Sequence, residues 1–146
     1  MKNIILAATL LVALSSAAFA KEKNTDLKLY RDLSASLESS RQVCWINKPQ
    51  YREAMFSFNN QTACAFYSAN DNEFIGFGIL CESTDLPETV TNAVKGKYGD
   101  WDVVDAMMFI DNNGYINYFA QVKKNNKDIA LKITPSGRLS VYAKIS

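Results

Sequence analysis

The sequence predicts an α+β fold: two tandem helix-plus-four-strand antiparallel units, about eight strands in all, with two helices packed on one face. Three observations predict it. Two apolar stripes recur at helical spacing, one near the start of the chain and one near its middle. Each is followed by four β-like segments joined by short, turn-rich connections, which makes neighbouring strands antiparallel. The turns, assigned independently of one another, agree on a single apolar sheet face.

The first twenty residues read as an export signal and not as part of the fold. Lys2 supplies a positive start, Ile4 to Leu14 is an apolar run, and Ala18-Phe19-Ala20 is a small-x-small site with cleavage expected after Ala20. The run falls short of the ~20 residues a bilayer span needs. Removing 20 of the 146 residues leaves 126 from Lys21 onward, enough for a single domain over 21–146 built of repeats at about 25–82 and 84–146. Without Lys2 the 16 Lys and Arg fall to 15, against 15 Asp and Glu. A neutral chain lacking a basic cluster argues against nucleic acid and anionic membrane as partners. The expected location is periplasmic or secreted, with no membrane insertion once the signal is removed.

Asp26 to Glu38 carries the first helical stripe, Leu27, Tyr30, Leu33 and Leu37. Leu86 to Tyr98 carries the second, Leu86, Val90, Ala93, Val94 and Tyr98; Asp85 and Glu88 give a D-x-x-E cap, Pro87 sits in the first turn and Gly99 follows the end. The strands of the first unit are expected at Gln42–Ile46, Tyr51–Phe58, Gln61–Ser68 and Glu73–Cys81, and those of the second at Trp101–Ile110, Tyr115–Val122, Lys127–Ile133 and Arg138–Ile145. Asp111 to Gly114 and Thr134 to Gly137 suit glycine-bulge turns, and Asn125-Asn126 a two-residue turn. These registers put Val104, Ala106, Met108 and Ile110, Ile116, Tyr118, Ala120 and Val122, Ile129, Leu131 and Ile133, and Leu139, Val141 and Ala143 on one face. In the first unit Ala54, Phe56, Phe58, Ala63, Ala65, Tyr67, Ile75, Phe77 and Ile79 fall on the corresponding face. Each helix is expected to cover the apolar face of its own unit.

The opposite face mixes rings and polar groups: Tyr51, Met55, Phe66, Phe74, Asp105, Met107, Phe109, Tyr115, Asn117, Phe119, Lys132 and Tyr142, with Gly76 and Gly78 between. Without a helix to cover it, it reads as a partner surface. The alternative is that this face is buried between sheets or between copies of the protein.

Catalytic patterns are missing. With no His, neither a Ser-His-Asp nor a Cys-His site can form, nor a His-based metal site. Cys44, Cys64 and Cys81 lack C-x-x-C spacing, and an odd count of cysteines on hairpins that set no two opposite each other favours three small buried hydrophobes. Asp102 and Asp105 are three apart on a strand and so point to opposite faces, as general acid and base should not. Asp111-Asn112-Asn113 reads as turn chemistry, since a calcium loop needs spaced acids. No cofactor, metal or catalytic residue is expected.

The stretch Leu86-Pro87 … Val90 … Ala93-Val94 … Lys97-Tyr98-Gly99 … Trp101 resembles the secreted PepSY-like proteins, which are grouped with the β-lactamase-inhibitor-protein-like (BLIP-like) fold. So do Tyr118-Phe119-Ala120-Gln121-Val122, Ile129-Ala130-Leu131-Lys132-Ile133 and Ser136-Gly137-Arg138-Leu139, and in the first unit Trp45, Ala54-Met55-Phe56 and Ala65-Phe66-Tyr67. The resemblance implies an eight-stranded sheet with two helices on one side and an exported, non-enzymatic role. Related domains occur in peptidase propeptides and in inhibitors of secreted enzymes. In the lactamase inhibitor an acidic hairpin loop of the first unit plugs the enzyme; here that loop, Phe58-Asn59-Asn60-Gln61, has no acid. The expected function is a binding or inhibitor-like module recognising an unidentified protein or peptide of the cell envelope, as a monomer or weak homodimer. The alternative is a structural, self-associating envelope protein.

Overall fold

Asp26 opens the first helix: its carboxylate accepts a hydrogen bond from the Leu29 N–H at 2.9 Å, satisfying a donor that has no partner inside the helix. The structure, a computed structural model, describes residues 26–145; the expected leader and its expected cleavage after Ala20 lie outside them. Helix α1 spans Leu27–Ser39 and α2 Glu88–Tyr98. The strands are β1 Cys44–Asn47, β2 Tyr51–Phe58, β3 Gln61–Ser68, β4 Phe74–Cys81, β5 Asp102–Asp111, β6 Ile116–Lys124, β7 Lys127–Ile133 and β8 Leu139–Lys144. They form one eight-stranded sheet in sequence order, so the expected antiparallel α+β architecture is the one found. By their contacts, residues 26–80 group with Phe109–Ile116, and Cys81–Met108 with residues 117–145.

The turn chemistry sets the registers as expected. Gly114 and Gly137 take φ of 84° and 93°, conformations that cost glycine little. Val122 pairs with Ile129, and Ile133 with Leu139. Asn59 and Asn60, at φ 48° and 63°, close the β2–β3 hairpin and set Phe56 opposite Ala63.

Helix α2 starts later than its sequence signals suggest. Pro87 is its N-cap and offers no capping side chain. The residue before a proline is driven out of the helical region, and Leu86 is extended at φ −69° and ψ 143°. Asp85 therefore belongs to the preceding 3-10 turn, Ser83–Asp85, where its carboxylate accepts from the Glu82 N–H at 3.2 Å.

In the first unit α1 covers the expected face. Leu33 is fully buried, and Tyr30 packs edge-on against Phe77, which meets Phe56 in the same way. Leu27, at the helix start, is 57% exposed and leaves the stripe. In the second unit Val90, Val94 and Tyr98 of α2 are buried, as are Ala106, Ala120, Val122, Leu131 and Ile133 of the sheet. The Thr89 hydroxyl donates to the Pro135 carbonyl at 3.1 Å, tying α2 to the β7–β8 turn.

Two bulges break the alternation. Between β3 and β4 the register passes from Phe66 opposite Gly76 to Tyr67 opposite Phe74, skipping Ile75. Between β7 and β8 it passes from Leu131 opposite Val141 to Ala130 opposite Ala143, skipping Tyr142.

Candidate functional site

The face expected to receive a partner is largely closed within the chain. Tyr51, Phe66, Met107, Phe109, Phe119 and Lys132 are all buried, which corrects their placement on an open contact surface. In the first unit the closure centres on β4. Phe66 lies opposite Gly76, and a β-carbon on Gly76 would stand 2.6 Å from the Phe109 ring. The ring of Phe109 thus fills the space left by a missing side chain. Phe66 packs against Phe109 at 6.2 Å between centroids and against Tyr51 at 6.1 Å, giving a continuous aromatic layer. In the second unit Phe119 and Tyr142 meet edge-on at 4.9 Å. The Gln121 amide there donates to both carboxylate oxygens of Asp128, at 2.8 and 3.0 Å, and Lys123 lies 3.5 Å from the same carboxylate. Met55, Asp105, Tyr115, Asn117 and Tyr142 remain half-buried.

Phe74 is corrected outright. The bulge at Ile75 turns it to the helix side, where its ring meets Tyr30, Tyr67 and Phe77. The sequence did hold a sign of the closed face. A Gly-Phe-Gly strand exposes bare backbone, and neighbouring rings are the usual cover for such glycines.

On the same face Tyr51, Glu53 and Cys64 form a buried polar group of three. Glu53 is 4% exposed, and the Cys64 thiol donates to it; its Oε2 and the Tyr51 hydroxyl have no partner among the described residues. Burial raises the Glu53 carboxyl above its usual range, against the opposing pull of the Cys64 hydrogen bond and Lys48. Burial, then the Glu53 charge, pushes the Cys64 thiol up as well, so it is a poor nucleophile. The three cysteines are free thiols, but only Cys64 is fully buried; Cys44 is exposed, contrary to the expectation for all three. Among the described residues no group of His, Cys, Asp or Glu is arranged to hold a metal ion. An apolar cleft of about 330 Å³ runs beside α2, lined by Leu86, Val94 and Val103 with Ser83, Thr84, Thr91 and Lys95.

The exposed feature of greatest chemical interest was not anticipated as a site. Trp45 on β1 is 47% exposed. The Arg52 guanidinium sits over its ring at 4.7 Å, and the Tyr67 ring lies 5.6 Å away. Arg52 is held in place by Asn47 Oδ1, which accepts from Nε at 3.1 Å, and by Asn72 Oδ1, which accepts from Nη1 at 2.8 Å. Tyr67 continues through Phe74 to Tyr30, so a chain of rings runs from the core under α1 to the outer edge of the sheet. Among the described residues no carboxylate pairs with Arg52. The signal for this patch was partial. Pairing Trp45 with Ala54 follows from a two-residue turn at Pro49-Gln50, but nothing in the sequence says that β1 lies at the sheet edge.

These features define an eight-stranded antiparallel α+β protein of the BLIP-like fold. Similar solved structures include a DUF2874 family protein from Bacteroides ovatus, with a TM-score of 0.62, 17% identity, and coverage of 82% of this chain and 89% of that one. A BLIP-like protein from Bacteroides fragilis gives 0.61 and 16%, covering 89% of each chain. A candidate periplasmic protein from Bacteroides eggerthii gives 0.61 and 18%, covering 81% of this chain and 89% of that one. The likeness concerns the fold. Compared by sequence, the chain matches no family model and no curated protein.

Proposed function

We propose that this chain is an exported, non-catalytic module that recognises a protein or peptide through the patch of Trp45, Arg52 and Tyr67. The observation that carries the reading is Trp45, a large ring left 47% exposed with a guanidinium stacked on it. Trp, Tyr and Arg dominate the energetics of protein interfaces because they bury much surface while keeping a polar handle. A preformed stack also lowers the entropy lost on binding. The sequence leader supports export, as does the fold shared with a candidate periplasmic protein. The BLIP-like neighbour and the PepSY-like sequence pattern favour binding over catalysis. Among the described residues no helix is long and apolar enough to cross a membrane. Tyr51, Phe66, Phe109 and Phe119 of the opposite face are buried within the protein, which favours the sheet edge as the contact surface.

The test is affinity capture from the native exported fraction with the mature chain as bait, alongside Trp45→Ala. Trp45 is half-exposed, so its loss should leave folding intact. A partner captured by the parent and lost by the variant is expected; the absence of any reproducible partner defeats the reading.

A further inference from the structure

The edge strand β1 specifies more than a patch. In the first hairpin the Lys48 N–H donates to the Tyr51 carbonyl at 2.8 Å, making Lys48 and Tyr51 a hydrogen-bonded pair. Hydrogen-bonded and non-bonded pairs alternate along an antiparallel ladder. With Ile46 opposite Glu53 and Cys44 opposite Met55, those two pairs bond inward to β2. Trp45 and Asn47, opposite Ala54 and Arg52, therefore turn their backbone N–H and C=O groups to the open side. β1 is the first strand of the sheet order, so among the described residues no strand lies beyond it. Cys44, Trp45 and Asn47 are all exposed.

We propose that β1 accepts an extended acidic peptide as an added strand, the backbone pairing with Trp45 and Asn47 and a carboxylate meeting Arg52. This rests on the binding reading above and names the class of partner. Strand addition draws affinity from backbone hydrogen bonds and specificity from alternate side chains. An added strand lies ~4.8 Å beyond β1. The Arg52 guanidinium already reaches over β1, because Asn47 accepts its Nε–H and its Cζ lies over the Trp45 ring. Its remaining donors suit a carboxylate. Along this hairpin the charges have one sign: Arg41, Lys48 and Arg52 fall in a stretch with no acid from Arg41 to Arg52, while the acids Asp71 and Glu73 flank Asn72, which takes up one guanidinium donor. The first acid beyond it, Glu53, is buried on the other face with its carboxyl held up toward the neutral form. A second copy is a poor occupant, since pairing two such edges would bring both sets of cations together.

The probe is an N-acetylated, C-amidated octapeptide alternating Glu and Val, with a Lys and Val counterpart as control, added to the isotope-labelled mature chain. Amide hydrogen exchange at Trp45 and Asn47 should slow at least about ten-fold with the Glu peptide and stay unchanged with the Lys peptide. Arg52→Glu should reverse that preference. Asn47→Pro removes one outward N–H, leaves the bonds to β2 in place, and should abolish the protection of Trp45. Exchange that does not slow at any peptide concentration up to millimolar overturns the proposal. So does protection that grows with protein concentration alone, which assigns the edge to a second copy. If the captured partner is lost with Trp45→Ala but kept with Asn47→Pro, strand addition falls while the binding reading stands; if capture survives both, the binding reading falls as well.

Discussion

Phe109 lies where a side chain on Gly76 would stand: a β-carbon there would come within 2.6 Å of the Phe109 Cζ and 2.6 Å of the Ile110 carbonyl oxygen. The ring can swing aside, but the carbonyl is backbone. Gly76→Ala must therefore displace β5 as well as its aromatic cover. Overpacking of this kind costs about 1–3 kcal/mol, and with backbone involved the upper half of that range is expected. Chemical denaturation of parent and variant measures it directly. A difference under about 0.5 kcal/mol, the usual spread for substitutions without structural effect, would mean that the rings do not close this face.

Gly96 gives the opposite outcome with the same substitution. It lies in α2, and a β-carbon there would meet nothing within 4 Å. Glycine in a helix interior costs about 0.5–1 kcal/mol relative to alanine, through the freedom it loses on folding. Gly96→Ala is thus expected to raise stability by about that amount. A melting-temperature series carrying both variants separates the two effects, and destabilisation by Gly96→Ala would point to a contact on the exposed side of α2.

The contrast between these glycines marks what was legible in the sequence. Hairpin registers were, because Asn59-Asn60, Gly114 and Gly137 admit few backbone conformations, and each fixes which side chains share a face. The helix-facing core followed from them: Ala54, Phe56, Ala120 and Leu131 are all buried as expected. The two bulges were not legible, because one skipped residue leaves no composition signature, and the first of them moved Phe74 to the opposite face. Nor was the closure of the second face. Alternation says that Tyr51 and Phe66 point away from α1, but not that Phe109 reaches over Gly76 to meet them. The exposure of Trp45 depends in turn on β1 standing at the edge, a matter of strand order and not of local pattern.

Three thiols in three environments should react at three rates. Cys44 is exposed on β1. Cys81 is partly covered; burial, then the Asp85 charge, pushes its thiol up to about 11, against a hydrogen bond with the Met108 backbone. Cys64 is fully buried, with its thiol raised further. Alkylation needs both thiolate and access. With iodoacetamide at mildly alkaline pH, Cys44 is expected to be modified first, Cys81 more slowly, and Cys64 only when the chain unfolds. Peptide mapping of a time course checks the order. Early labelling of Cys64 in the native protein would show that the Glu53 cluster opens readily.

Replacing Tyr51 with Phe tests that cluster from its hydroxyl. The Tyr51 OH is buried without a partner among the described residues, and its phenol is pushed up to about 12 by burial, then by the charge of Glu53 and Cys64. It therefore stays neutral through the working range and contributes no compensating hydrogen bond. Tyr51→Phe keeps the ring against Phe66 and removes an orphaned polar group, so stability should be unchanged or gain up to about 1 kcal/mol. A loss of more than about 1 kcal/mol would imply that a water holds the hydroxyl.

Glu53 makes stability depend on pH with a definite sign. Its folded-state carboxyl titrates above the ordinary glutamate range because burial disfavours the charge. Between the ordinary and the raised value the folded chain holds a proton that the unfolded chain has lost. Stability from this group is thus fully present at pH below the ordinary value and declines as pH rises through the raised one. Glu53→Gln is neutral throughout, with nearly the same shape, and should remove that decline. Thermal melts from pH 4 to 8 are expected to show parent and variant converging at the acid end, with the variant equal or more stable toward neutrality. Parallel profiles would mean that Glu53 is solvated in the folded protein. A variant that loses ground as pH rises would mean that its carboxylate is stabilised as the anion, with Lys48 outweighing burial.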